Sequence, residues 1–311
     1  MTPDPLGGAA RPEPSGLLVV DKPAGITSHQ AVARARRALG TKKVGHAGTL
    51  DPMATGVLLL GVGSGTRLLG HLALADKSYE TTIRLGLSTV TDDAEGEVTA
   101  APGASGLTRE RIERAVAELT GDIVQVPSAV SAIKVGGQRS YARVRRGEQV
   151  ELAGRPVTVS RFDVTGVRGC LAGGVEVVDV DAVIDCTSGT YVRALARDLG
   201  AALGAGGHLT ALRRTSVGPF AVADATWDAA PHDPEAGEWT PPPLLPLAEV
   251  ARRCLPWIEV DAAAARDVGY GRPLALEVPA DPTALLHEGR LLALYRPGGP
   301  GSVPVAVLSP S

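Results

Sequence analysis

One carboxylate in a glycine- and proline-rich segment is the residue of this chain best placed for chemistry. Asp51 lies within residues 45–56, Gly-His-Ala-Gly-Thr-Leu-Asp-Pro-Met-Ala-Thr-Gly, and the apolar run 57–60 follows at once. The glycines and the proline predict a loop, and the apolar run predicts a buried strand. A loop held against a core strand is a rigid support for a reacting group. The alternative interpretation is an aspartate that only caps its own turn.

Arg193 is the second candidate. It lies in the first turn of a predicted helix, where the helix dipole disfavours a cation. A solvated arginine would tolerate this position at little cost. We expect instead that Arg193 points at a carboxylate from elsewhere in the chain, and Asp51 is the natural partner.

Five cations and no acid lie between residues 134 and 146, together with Tyr141 and a Gly-Gly pair. Charge runs of this kind are often solvated faces. The mixture of flexible glycines, an aromatic ring and cations favours a segment that binds the phosphates of a nucleic acid. The five cations are Lys134, Arg139, Arg143, Arg145 and Arg146.

The sequence predicts no metal site. The acidic segment 91–97 lacks the ligand spacing and flanking helices of a calcium loop, and we interpret it as a turn between strands. The histidines are scattered, and Cys170, Cys186 and Cys254 form no Cys-x-x-Cys pair. Three widely spaced cysteines also fit a reducing compartment.

Composition and charge narrow the class of protein. The 311 residues are 44% hydrophobic and 21% charged, a globular composition that excludes wholesale disorder. The net charge of -3 hides a gradient, because residues 101–215 carry 15 basic and 12 acidic side chains, whereas residues 216–311 carry 6 and 12. A polyanion is therefore expected to dock on the middle of the chain. Without a recognisable signal peptide or membrane-spanning run, we expect a cytoplasmic protein with no membrane contact.

Predicted helices and strands must position these residues. The first helix is capped by Thr27 or Ser28, the second follows Thr108, and the third opens at Thr190-Tyr191. Apolar residues recur at helical spacing in all three. Strands are predicted for residues 16–21, 57–60, 79–85 and 178–186, the last with alternating apolar and acidic side chains.

The balance of these elements indicates the fold class. Strands outnumber helices and no strand–helix–strand repeat is visible, which favours an α+β fold over a doubly wound sheet. We expect a mixed, mainly antiparallel sheet, because the alternation in 178–186 is typical of a half-exposed antiparallel strand. Prolines at 241–246 mark a linker. The predicted units are a disordered tail at 1–14, a catalytic domain at 15–250 and a small β-rich domain at 251–311.

Six short motifs are spread along residues 16–220. They are Asp21-Lys-Pro-Ala-Gly25, the segment 45–58, Lys77-Ser-Tyr79, Ser131-Ala-Ile-Lys134, Gly189-Thr-Tyr-Val-Arg193 and His208-Leu-Thr-Ala-Leu-Arg-Arg214. In this order they resemble the motifs of the TruB family of pseudouridine synthases. Met53 stands where the family often has leucine, a swap of similar volume. The last sixty residues resemble a PUA domain, by position and strand-rich composition.

The resemblance implies an activity and a set of site residues. The activity would be isomerisation of uridine to pseudouridine at position 55, in the TΨC loop of tRNA, after the nucleotide is flipped out of its stack. Asp51 would be the catalytic aspartate, Tyr79 would stack on the base, and Arg193 would pair with Asp51. Residues 127–155 would be a thumb-like insertion that clamps the RNA arm. Substrate contacts would come from Lys22, His46, Tyr191, Leu212 and the five cations of residues 134–146.

This isomerisation fits the residue inventory. It breaks an N-glycosidic bond and rejoins the same uracil through carbon with no net oxidation, so we expect no cofactor. One carboxylate suffices, as a nucleophile at sugar or base or as a base for a sugar proton, and the sequence leaves these three routes open. We expect a monomer that binds the T arm of tRNA without a protein partner, with an additional role in tRNA folding left open.

Three other functions remain as alternatives. A guide-dependent pseudouridine synthase acting on ribosomal RNA would share the loop but need partner proteins. A non-catalytic RNA-folding factor would not need the set of Asp51, Tyr79 and Arg193. A glycoside hydrolase needs two carboxylates about 5–10 Å apart, and no second acid lies in a comparable loop.

Overall fold

The computed structural model describes residues 13–128, 134–135, 138–139, 152–230 and 240–308. Within these ranges the helices are α1 (Ser28–Ala38), α2 (Leu69–Ala73), α3 (Arg109–Ala117), α4 (Val192–Leu203), α5 (Leu247–Cys254) and α6 (Ala262–Gly269), with 3₁₀ turns at Gly63–Leu68 and Val222–Asp224. The strands are β1 (Gly16–Lys22), β2 (Val44–Ala47), β3 (Thr55–Val62), β4 (Lys77–Leu85), β5 (Ser88–Thr89), β6 (Val98–Ala100), β7 (Gly121–Gln125), β8 (Lys134–Val135), β9 (Gln138–Arg139), β10 (Arg155–Ala172), β11 (Val175–Cys186), β12 (Gly207–Val217), β13 (Phe220–Ala221), β14 (Trp257–Glu259), β15 (Thr283–His287), β16 (Arg290–Gly298) and β17 (Gly301–Val307).

A nine-stranded sheet forms the centre of the fold. Its strand order is β1-β3-β12-β4-β11-β10-β7, with β2 also paired to β3 and β13 to β12. The short contact between β3 and β12 is parallel, and the other pairs of this sheet are antiparallel in the described part of the chain. The expected α+β fold with a mixed, mainly antiparallel sheet is confirmed.

Buried apolar and acidic side chains alternate along β11, which explains why the sheet forms as predicted. Val180, Ala182 and Ile184 are buried, and the acidic residues between them face the open side of the sheet. There Asp179 accepts two hydrogen bonds from Arg84 on β4, at 2.7 and 2.8 Å. Cross-strand charge pairs of this kind stabilise the pairing of neighbouring strands.

The two faces of the sheet pack against different elements. One face is covered by α1, α3 and α4 and contributes Leu18, Leu60 and Ile83 to the larger apolar core. The opposite face of β1 and β3 packs against α5 and a C-terminal sheet ordered β14-β15-β16-β17. The predicted boundary at residue 250 falls inside α5. No helix among the described residues is long and apolar enough to cross a membrane.

The predicted loop at 45–56 is shorter than expected, and the difference has a physical reason. Residues up to Ala47 form β2, and β3 begins at Thr55, so the loop proper spans residues 48–54. Gly56, with a φ of +98°, lies so close to β12 that a Cβ there would stand 2.1 Å from the carbonyl oxygen of Arg214. Glycine is therefore needed at this position for its positive φ and for the close approach of β12, and not for a turn.

Candidate active site

A cavity of about 260 Å³ lies where the loop 48–54 meets β4, β12 and the start of α4. Its walls bring together five of the residues singled out from the sequence, which are Asp51, Tyr79, Tyr191, Arg193 and Leu212. These residues come from four separate parts of the chain. Only the fold places them together.

Arg193 contacts Asp51 at two points. Its Nε lies 3.0 Å from Oδ2, and its Nη2 donates a hydrogen bond to Oδ1 at 3.2 Å. The Arg193 side chain is 6% exposed, whereas that of Asp51 is 35% exposed. The guanidinium therefore lies behind the carboxylate and holds both of its oxygens in one orientation, while the carboxylate remains accessible from the cavity.

Arg193 also contacts a second carboxylate, which the sequence analysis did not identify. Its Nη1 donates to the carbonyl of Thr91 at 2.7 Å and lies 3.4 Å from Oδ2 of Asp93, whose side chain is 4% exposed. Segment 91–97 is a turn, as predicted, but it also presents Asp93 to the site. The sequence did contain one indication of this contact. Arg193 was expected to need a carboxylate partner, and the acidic segment 91–97 offered candidates as well as Asp51.

Lys22 holds the loop 48–54 through backbone contacts. It is fully buried, and its Nζ donates to the carbonyls of Pro23 and Ile26 at 2.8 Å and to that of Pro52 at 3.3 Å. Burial lowers the pKa of Lys22 to about 8. The expectation that Lys22 holds a nucleotide is therefore revised, because its ammonium is directed at three backbone carbonyls, of which that of Pro52 is next to Asp51.

Arg214 is a second buried cation that positions the loop. It is 1% exposed, its Nε donates to the carbonyl of Val57 at 2.7 Å, and its Nη2 donates to that of Gly48 at 3.1 Å. Burial raises the pKa of the Tyr79 hydroxyl, and the positive charge of Arg214 opposes that rise. The sequence analysis assigned a role to Leu212 alone in this motif. Strand alternation from Leu212 could have placed Arg214 on the same inward face.

Lys77 closes another part of the cavity wall. Its Nζ donates to the carbonyls of Ala73 and Ala75 at 3.0 and 2.6 Å, and burial lowers its pKa to about 8. This cation fixes the segment between α2 and β4, the strand that carries Tyr79.

The remaining predicted site residues are His46 and the five cations of residues 134–146. His46 is on β2, outside the cavity, with its ring edge-on to that of His29 at 5.5 Å, and burial lowers its pKa. The backbones of Lys134 on β8 and Arg139 on β9 are paired in antiparallel register. Three cations of the insertion, Arg143, Arg145 and Arg146, fall outside the described residues.

Comparison with family models identifies the class of protein, which is that of the pseudouridine synthases. The TruB family pseudouridylate synthase N-terminal domain matches residues 36–192, and the tRNA pseudouridylate synthase B C-terminal domain matches residues 193–229. The chain belongs to the TruB family and is an isomerase. The family resemblance of its sequence motifs is thereby confirmed.

Individual relatives cover nearly the whole chain. A protein of Cutibacterium acnes named tRNA pseudouridine synthase B is 57% identical over 284 residues, which cover 91% of this chain and 93% of that protein. A protein of Nocardia farcinica with the same name is 54% identical over 309 residues, covering 99% and 95%. Among solved structures, a chain of an H/ACA RNP bound to a substrate RNA containing 2'-deoxyuridine has a TM-score of 0.67 at 22% identity, covering 95% of this chain and 85% of that one. This last similarity confirms the fold.

Proposed function

We propose that this chain isomerises uridine to pseudouridine at position 55, in the TΨC loop of tRNA, with Asp51 as the catalytic carboxylate. The pair of Asp51 and Arg193 at the cavity wall carries this proposal. The name tRNA pseudouridine synthase B, shared by relatives more than half identical to this chain, supports tRNA as the substrate.

The size of the cavity supports base flipping. A volume of about 260 Å³ is small for a binding pocket and suits a single nucleoside, not a stacked stretch of RNA. A uridine stacked inside a folded loop must leave its stack to reach such a site. Tyr79 offers an aromatic face for the flipped base, and Leu212 and Tyr191 complete the apolar part of the wall.

The chemistry asked of Asp51 follows from the bonds that change. The bond between N1 and the sugar carbon breaks, a bond from C5 to the same carbon forms, C5 gives up a proton, and N1 gains one. An ionised Asp51 serves as a nucleophile at sugar or base, or as the base that removes a sugar proton. On each route Arg193 orients the carboxylate and opposes its neutralisation when the base displaces water.

Other parts of the chain bind the substrate. We assign tRNA contacts to His46, to a PUA-like domain at 251–311, and to five cations of the insertion at 127–155, which are Lys134, Arg139, Arg143, Arg145 and Arg146. The PUA-like domain follows a catalytic domain at 15–250 and a tail at 1–14. Phosphate contacts position the T arm, and the cavity reads the flipped base. The protein acts as a monomer in the cytoplasm, without a protein partner.

The test uses the purified chain and two unmodified tRNA transcripts, one with uridine at position 55 and one with cytidine there. Pseudouridine is located along each transcript by chemical labelling and primer extension. Modification of position 55 in the first transcript and no modification in the second is expected. Pseudouridine at other positions only, or formation that requires an added guide RNA and partner proteins, would overturn the proposal.

A further inference from the structure

Tyr191 is held by a buried glutamine from a neighbouring strand. Gln125, the last residue of β7, is fully buried. Its Oε1 accepts a hydrogen bond from the backbone N–H of Tyr191 at 2.8 Å, and its Nε2 donates to the carbonyl of Tyr191 at 3.1 Å. One side chain therefore satisfies both backbone polar groups of a residue that lines the cavity.

An arginine fixes the same residue from its ring side. Arg155, the first residue of β10, has its guanidinium carbon 4.7 Å from the centre of the Tyr191 ring. Its Nη2 donates to the carbonyl of Gly189, another residue of the cavity wall. Arg155 and Gln125 lie directly opposite each other in the antiparallel register of β10 and β7. Opposite residues point to the same face of a sheet, so the two side chains approach Tyr191 together.

The helix that follows depends on these contacts. Tyr191 is the N-cap of α4, and its side chain makes no capping hydrogen bond. Contacts from outside the helix therefore fix the backbone where α4 begins. Arg193 follows two residues later and contacts Asp51. A shift of Tyr191 would move both the ring in the cavity and the guanidinium behind the catalytic carboxylate.

We infer that Gln125 and Arg155 are positioning residues for the isomerisation, Gln125 through the backbone of Tyr191 and Arg155 through its ring. This assignment rests on the proposed function. Neither residue touches the reacting atoms. Both act by holding Tyr191 and the start of α4 at the distance from Asp51 that the flipped base requires, where a misplacement of about 1 Å costs about a hundredfold in rate.

The substitution Gln125→Glu distinguishes a positioning role from a purely structural one through the pH dependence of the reaction rate. In this variant the protonated carboxyl accepts from the N–H of Tyr191 and donates to its carbonyl, as the amide does. The ionised form has no donor and places a charged oxygen against that carbonyl. Burial raises the pKa of such a carboxyl above its usual value of about 4.3, which brings its titration into the range where activity is measured.

The experiment compares single-turnover pseudouridine formation at saturating tRNA across pH 5 to 9, roughly the range in which a buried carboxyl titrates. The rate of Gln125→Glu relative to the unsubstituted protein should rise as the pH falls. Gln125→Met, which keeps the length without the two hydrogen bonds, should be slower by about tenfold to a hundredfold at every pH, with tRNA affinity unchanged. Arg155→Lys keeps the charge but loses the planar group stacked on the Tyr191 ring, so its rate should also be lower. The control is Arg161→Lys on the exposed face of the same strand, and its rate should be normal.

Three outcomes decide the inference. A Gln125→Met protein that reacts at the normal rate, or a Gln125→Glu protein whose relative rate does not change with pH, would overturn it while leaving the proposed function intact. Failure of the unsubstituted protein to form pseudouridine would overturn the proposed function instead. Hydrogen exchange needs no RNA. The Tyr191 amide should exchange faster in Gln125→Met than in the unsubstituted protein, because methionine has no oxygen to accept its hydrogen bond. Equal rates would contradict the backbone contact, and where Gln125→Met does not fold, the pH dependence of Gln125→Glu decides.

Discussion

The guanidinium of Arg193 meets the carboxylate of Asp51 with two nitrogens facing two oxygens, at 3.0 and 3.2 Å. The buried member of the pair is the cation, and the accessible member is the carboxylate that we assign to catalysis. A base stacked in the cavity would remove the water that solvates Asp51. The guanidinium then becomes the main group that stabilises its charge.

Replacing Arg193 should separate charge from geometry. Arg193→Lys keeps a cation but loses the planar fork, so the single-turnover rate should fall far more than tRNA affinity does. Arg193→Ala should be slower still. It should also lower the free energy of unfolding by about 3 kcal/mol, because it leaves buried Asp93 without its cation. Rapid-quench rates, tRNA binding and urea unfolding measure the three quantities. A lysine variant with a normal rate would show that the fork is dispensable.

Asp93 should matter for chemistry although it does not line the cavity. Asp93→Asn removes the charge that faces Nη1 of Arg193, so we expect about a tenfold loss of rate, roughly 1.4 kcal/mol in the barrier, from a less firmly held guanidinium. The neighbouring substitution Asp92→Asn is the matched control, since Asp92 faces Arg197 at 3.5 Å. Equal effects of the two substitutions would mean that the loss reflects the turn as a whole.

Lys22 should give the protein a distinctive pH dependence of stability. Burial lowers its pKa in the folded state to about 8, from 10.5 in the unfolded chain. Between these values the unfolded state binds the extra proton, so the contribution of Lys22 becomes more favourable as the pH rises from about 8 to about 10.5. Each pKa unit is worth about 1.4 kcal/mol. The difference in unfolding free energy between the unsubstituted protein and Lys22→Met should therefore shift in favour of lysine over this window.

Urea titrations of both proteins at pH 7.5 and pH 10, values chosen roughly on either side of the folded-state pKa, measure that shift. Subtracting the variant removes the contribution of other titrating groups. A difference that stays constant, or that moves in favour of methionine as the pH rises, would mean that burial does not penalise the charged form of Lys22.

The basic insertion should account for much of the salt dependence of tRNA binding. Replacing Arg143, Arg145 and Arg146 with alanine should weaken binding and reduce the slope of log affinity against log salt by up to about three. Exposed Arg111 and Arg114 on α3 are the control cations, and their replacement should leave the slope nearly unchanged. An unchanged slope for the triple variant would identify the run as a solvated face.

Local patterns in the sequence predicted the local structure well. The alternation in residues 178–186 predicted β11, and a cap at Thr27 or Ser28 predicted the start of α1, where Thr27 proves to be the cap and forms a capping box with Gln30. Burial on one face produces these patterns within a few residues, so they can be read without knowing the rest of the fold.

Long-range contacts were harder to predict. The family resemblance implied that Lys22 contacts the substrate, yet its ammonium is held by the carbonyl of Pro52, thirty positions away. Asp93 was predicted only as part of a turn, because its partner on α4 lies one hundred positions further along the chain. Periodicity reports that a side chain is buried and does not report which distant group it meets.

The most direct test of the central claim is single-turnover pseudouridine formation by Asp51→Asn at saturating tRNA, with the dissociation constant measured on the same preparation. Asparagine keeps the shape of the side chain and removes the charge that every route for Asp51 requires. We expect no detectable pseudouridine and an affinity within a few-fold of normal, because phosphate contacts dominate binding. Pseudouridine formation at a near-normal rate would contradict the assignment of Asp51 as the catalytic carboxylate.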